Sequence, residues 1–166
     1  MNYIDVVTSI AEVSLRHRAV ESFHNGMIEE ENMLWNRKFP VVWLDPIIVN
    51  MVLNERKGRI LRKYIVPLIC GDKTEFGINQ KEVTSTLGKT FRIIKDILIE
   101  LSVNKNFKFD TVTEIRHEPF VFRGDYCLTG WICTFQILDE QNAMDICEIP
   151  FDTVPKEEIS TIIENC

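Results

Sequence analysis

Glycine is scarce, with 7 in 166 residues, and none falls in GxGxxG or GxxxxGK[ST]. No phosphate-cradling loop is therefore legible. HExxH and GxSxG are also missing, so the common zinc-protease and nucleophile-elbow signatures are excluded. Positive charge is in deficit: 19 Lys and Arg against 25 Asp and Glu give a formal charge of −6 and a pI near 5.1. That balance argues against a surface that grips duplex DNA, which needs a basic patch to release phosphate counterions. It argues equally against an anionic membrane surface as partner. No apolar run approaches the roughly eighteen residues a membrane helix requires. Met1 to Asp5 lacks a basic region ahead of an apolar run, so it does not read as a secretory signal. CxxC is absent. The odd set of Cys70, Cys127, Cys133, Cys147 and Cys166 reads as reduced thiols in a cytosol.

The chain is 45% hydrophobic and 27% charged, which suits one ordinary domain with a sizeable core. Residues 2 to about 18 space Tyr3, Val6, Val7, Ile10, Ala11, Val13 and Ser14 on one helical face. A short strand or connector follows over 19–26. Residues 27–38 carry Glu29-Glu30-Glu31 without a period and read as a long surface loop. Phe39 to Leu44 is a dense apolar strand with Pro40 at its edge. Ile47 to Leu53 and Arg59 to Cys70 read as a hairpin around Glu55-Arg56-Lys57-Gly58. Tyr64, Val66, Leu68 and Cys70 share one face of its second strand.

Residues 80 to about 103 form the strongest helix, capped by Asn79 with Glu82 three residues on. Val83, Leu87, Phe91, Ile94, Leu98 and Leu101 make its expected core face. Gly88 and Ile99 stand together on the polar side, either as a tolerated glycine and one exposed Ile or as a second packing surface. Residues 107–122 and 125–138 read as strands, and Asp139 to Asp145 as a polar turn. Beyond Pro150, Pro155 suits a first helical position, and Ile159, Ile162 and Ile163 give the tail one apolar stripe. This order predicts an α+β fold: mostly antiparallel sheet packed against a long amphipathic helix and an N-terminal helix.

The chemistry-bearing residues do not converge. His17, His24 and His117 show no metal-ligand spacing, and no metal or cofactor is expected. His117 with Cys127 is the one sequence-close pair that could serve as base and nucleophile. Trp43 and Trp131 read as core. Trp35, in the acidic loop, is either folded back or buried at an interface, where aromatic anchors are enriched.

Several segments in order carry a resemblance. They are Glu21-Ser22-Phe23-His24-Asn25-Gly26, Phe39-Pro40-Val41-Val42-Trp43-Leu44, Lys63-Tyr64-Ile65-Val66-Pro67-Leu68 and the helix from Gln80 to Leu101. His117-Glu118-Pro119, Asp125 to Trp131 and Asp145-Ile146-Cys147-Glu148-Ile149-Pro150 complete the set. Over roughly residues 3–150 the chain resembles a small protein of the tail-and-neck gene clusters of phages infecting Bacteroidetes, crAss-like phages included. More loosely, it resembles the tail-terminator and tail-completion proteins of long-tailed phages.

The resemblance implies a non-enzymatic virion protein, assembled in the host cytoplasm. It implies a homo-oligomeric ring at the portal–tail junction, bound to portal or adaptor and tail-tube proteins, with DNA passing through the lumen. An acidic lumen lets a duplex slide. Residues 1–150 are then expected to form one ring-forming domain, and 151–166 a helical assembly tail. The expected contacts are Glu29, Glu30, Glu31 and Trp35 in the loop, Gly88 and Ile99 on the helix, and Ile159, Ile162 and Ile163 in the tail. The competing expectation is a small cytosolic α+β enzyme or ligand-binding domain centred on His117 and Cys127.

Overall fold

The computed structural model describes residues 3–26, 38–54, 59–74, 80–104, 114–123 and 127–142. In chain order the elements are α1 (Tyr3–Arg16), β1 (Ser22–Asn25), β2 (Val41–Leu44), β3 (Ile48–Asn54) and β4 (Arg59–Lys73). They continue with α2 (Gln80–Val103), β5 (Arg116–Arg123) and β6 (Leu128–Asn142). The architecture is α+β: a six-stranded, mostly antiparallel sheet with both helices on one face.

β4 and β6 are the spine, paired antiparallel over all fifteen residues, from Arg59↔Asn142 to Lys73↔Leu128. The sheet path is β1-β2-β4-β6-β5, and β3 also pairs with β4. β2 and β3 therefore share one side of β4: β2 takes Leu68 to Gly71, and β3 takes Arg59 to Ile65. Pro67 sits in the gap between them, and its carbonyl accepts the Asp45 amide at 3.1 Å. A proline inside a central strand would cost a ladder bond. Its missing donor falls between the stretches paired with β2 and β3, where its carbonyl still takes the Asp45 amide, so the cost is reduced.

Alternation does the rest. Val42 and Leu44 of β2, Tyr64, Val66, Leu68 and Cys70 of β4, and Cys133, Phe135 and Ile137 of β6 form the face beneath the helices, and all are buried. Each fully buried side chain of this size contributes about 1.5–3 kcal/mol. α1 adds Val6, Ile10 and Val13, while Asp5 in its first turn and Arg16 in its last complement the helix dipole. The opposite sheet face holds a smaller cluster of Trp43, Ile69 and Leu128, with Phe39, Phe120 and Ile132 against it.

α2 differs from its expected face. The buried set is Thr90, Ile93, Ile94, Ile97, Leu98 and Leu101. Val83 and Leu87 are half-buried and Phe91 is exposed. The cause is α1, which packs beside α2 and widens the buried arc toward Ile93 and Ile97. Thr90 is tolerated there because its hydroxyl donates to the Thr86 carbonyl at 2.8 Å.

Two strand limits also differ. β5 begins at Arg116, and of the expected strand from 107 only Glu114 and Ile115 are described before it, both outside the strand. Asp139 to Asn142, expected as turn, continue β6, because β4 extends down to Arg59 and offers them a ladder. The hairpin turn at 55–58, Asn79, and everything from 143 onward lie outside the described residues.

Candidate functional site

The His117 and Cys127 pair is not assembled. His117 stands opposite Cys133 in the β5–β6 register, and Cys127 precedes the start of β6. Six residues of strand separate the two positions, about 20 Å at ~3.3 Å per residue. The His117 ring instead lies 5.3 Å from Phe91. Cys127 has a positive φ of 51°, and its carbonyl accepts both the amide (3.1 Å) and the hydroxyl (2.8 Å) of Thr74. Its surroundings are those of a turn held to the end of β4. Burial pushes the Cys133 thiol up to about 12. Burial, with the charge of Asp72 adding to it, also raises the Cys70 thiol well above its ordinary value. Neither is a thiolate at neutral pH. Among the described residues no three His, Cys, Asp or Glu side chains gather as a metal site. No helix among them is long and apolar enough to cross a membrane.

Polar side chains gather where α1 crosses α2, while Lys89 of α2 pairs with Asp72 of β4 at 2.7 Å. His17 Nδ1 accepts the Ala19 amide at 3.2 Å, which leaves the ring proton on Nε2, 3.4 Å from Asp96. Arg16 pairs with Glu100 at 3.1 Å. Both of those partners are exposed, so the pair contributes little. Two open grooves flank His17. One, of about 330 Å³, is lined by Val13, Arg16, Asp96, Ile97 and Glu100. The other, of about 450 Å³, is lined by Ala19, Ser85, Gly88, Lys89, Arg92 and Ile93.

Gly88 thus lies at a groove, and a Cβ there would meet nothing within 4 Å. Among the described residues no close approach accounts for the glycine. Ile99 is 52% exposed on the same ridge, with Val103 at 69% one turn on. Eleven residues separate Gly88 from Ile99, about 16 Å along the helix, so they form a stripe. Glu29, Glu30, Glu31, Trp35, Ile159, Ile162 and Ile163 lie outside the described residues.

Other apolar surfaces were not among the expected contacts. On α1, Ile4 (71% exposed) and Leu15 (58%) lie on one outward stripe, eleven residues apart. Beside β5, Phe91 packs its ring 5.1 Å from Trp131, whose Nε1 donates to the Leu87 carbonyl. Ile115 and Val121 are exposed there too. On β3, Ile48, Val49 and Met51 are exposed. The signal for β3 was available: Ile48-Val49-Asn50-Met51-Val52-Leu53-Asn54 contains no charge and no proline. The strand position was legible from it, but its place at a sheet edge was not.

The fold and these surfaces define a class no narrower than an α+β sheet with open edges and exposed apolar side chains. No protein-family model matches the chain, and no curated protein matches it.

Proposed function

We propose that the chain is a structural virion protein of a tailed phage, forming a homo-oligomeric ring at the portal–tail junction through whose lumen DNA passes. Its partners in this reading are further copies of itself, the portal or adaptor, and tail-tube or neighbouring ring proteins. The observation that carries the reading is a pair of unlike apolar surfaces on different sides of the molecule. The Ile4–Leu15 stripe of α1 lies toward the β1 side of the sheet, and the group of Phe91, Ile115 and Val121 lies toward β5. A closed ring needs heterologous contacts, in which one surface of each copy meets a different surface of the next. The −6 charge suits a channel that repels phosphates rather than holding them.

The test is native mass spectrometry with negative-stain imaging of the purified chain, and of Leu15→Asp and Val121→Asp. The expected result is one defined ring, lost in both variants while their circular dichroism is unchanged. A chain that stays single at every concentration and binds no virion component overturns the reading.

A further inference from the structure

The two grooves that flank His17 differ in charge. The smaller holds Asp96 and Glu100 against Arg16 alone, and Arg16 is already paired with Glu100. The larger, of about 450 Å³, holds Lys89 and Arg92 and, among the described residues, no carboxylate. On a chain of net charge −6, a concave surface with two cations and no acid favours an anion.

α2 builds one wall of this groove. Ser85, Gly88, Lys89 and Arg92 are spaced three, one and three, so they share one helical face. Ser85 and Arg92 stand about 10 Å apart along the axis, with Gly88 between them. A Cβ on Gly88 would meet nothing within 4 Å. Glycine weakens a helix interior relative to alanine, and here it relieves no contact among the described residues. What the missing side chain leaves is room in the groove.

The facing wall is the turn after α1. The His17 amide donates to the Ser14 carbonyl at 3.2 Å, and the Val20 amide to the His17 carbonyl at 3.0 Å. The Ala19 amide donates to His17 Nδ1, and His17 Nε2 lies 3.4 Å from Asp96 of α2. The two walls are thus tied together in the unliganded chain, which lowers the ordering cost of binding.

The cations have donors to offer. Among the described residues Arg92 has no ion-pair partner, so its planar fork is open for two parallel hydrogen bonds to a carboxylate or phosphate. Lys89 gives one of its three N–H groups to Asp72 at 2.7 Å and keeps the others. The groove is also the size of small-molecule clefts, which run from about 300 to 1,000 Å³, and exceeds what a bare ion fills. Ala19, Ile93 and the bare backbone of Gly88 offer apolar contact to the rest of a ligand.

We propose that this groove binds a small organic oxyanion, a carboxylate or a phosphate monoester on a ring-sized apolar body. Arg92 and Lys89 hold the oxyanion, and the body lies over Gly88 against Ala19 and Ile93. The site does not rest on the ring reading, because both of its walls belong to one copy.

The test is a ¹H–¹⁵N titration of the full chain with phenyl phosphate and, separately, with benzoate, which distinguishes the two head groups. Inorganic phosphate and benzylamine are the controls. At least one aromatic oxyanion should saturate at or below about 1 mM. Its shifts should centre on the amides of Ala19, Ser85, Gly88, Lys89 and Arg92. Arg92→Met, which keeps the apolar stem, should weaken binding at least about tenfold. Gly88→Leu places a side chain in the groove and should abolish binding while the melting temperature holds or rises. Arg16→Met, in the other groove, should leave binding intact. Three results overturn the proposal: no saturable shift with either aromatic oxyanion, an equal response to inorganic phosphate or benzylamine, or binding that persists in Arg92→Met and Gly88→Leu.

Discussion

The two long edges of the sheet are defended in opposite ways. At β5, Pro119 falls opposite Trp131. Carrying the ladder alternation from Pro67 across β6 leaves the missing donor of Pro119 on the outside. Arg116 and Glu118 pair with each other on the strand, and the register shifts between Phe120 and Arg123. A proline, charges and a bulge are the devices that stop strand addition. β3 has none of them. A fold that blunts one edge this thoroughly and leaves the other bare treats the two differently.

The comparison breaks first at the centre. A Cβ on Gly130 would sit 1.9 Å from the Cys70 carbonyl oxygen and 2.8 Å from Gly71, with backbone on both counts. Gly130 is also the residue opposite Phe120, whose ring lies 3.4 Å from where a Gly71 Cβ would be. Gly130→Val should therefore lose about 3 kcal/mol or more in urea denaturation, and β5 amides should lose protection with it.

Next in size is the tie between β5 and the helix layer. Phe91→Ala removes the contacts to His117 and Trp131 and should cost about 1–2 kcal/mol. Met51→Lys, on the exposed edge of β3, should change stability by less than about 0.5 kcal/mol. It should nevertheless reduce non-specific association, measured by light scattering. Pro119→Thr sharpens the comparison from the other side: it restores an outward donor on β5, and scattering should rise while the melting temperature holds.

The spine beneath both edges has an alkaline limit. The folded state holds the Cys133 proton up to about 12, against an ordinary value of 9.0, because burial disfavours the thiolate. Below pH 9 both states keep the proton and the contribution is complete. Above it the unfolded thiol ionises first, so stability falls as pH rises from about 9 toward 12. Cys70 shifts in the same direction. The double variant Cys70→Val, Cys133→Val should flatten that decline in pH-dependent melts. Cys127→Gly relieves the φ of 51° and should raise stability by roughly 1 kcal/mol in urea denaturation.

Strand faces were legible because alternation is local: Tyr64, Val66, Leu68 and Cys70, or Trp131, Cys133 and Phe135, declare one side by themselves. The α+β class followed from that order. The helix face of α2 was half legible. Leu98 and Leu101 were placed by period, but Ile93 and Ile97 are buried by α1, which no local pattern in α2 encodes. Asp139 to Asn142 look like turn until Arg59 to Arg62 stand beside them.

Edges are the least legible of all, since an edge is defined by what does not pair. Of the expected contacts, Gly88 and Ile99 are on the surface as read, while the glutamates, Trp35 and the tail isoleucines lie outside the described residues. The His117 and Cys127 pair shows the converse error, in which nearness along the chain becomes distance along a strand.

Pro67 has a consequence for how the molecule comes apart. Because it stands between the stretches of β4 held by β2 and by β3, no ladder bond on that side joins the two halves directly. The β3–β4 hairpin and the β1–β2 corner are therefore joined on that side by the strand β4 itself and by the shared core, not by a continuous ladder. The hairpin lies at the less buried end, with Ile48 and Met51 facing solvent. Amide exchange should accordingly be faster along Ile48 to Asn54 than along Val41 to Leu44, a comparison that native-state hydrogen exchange checks.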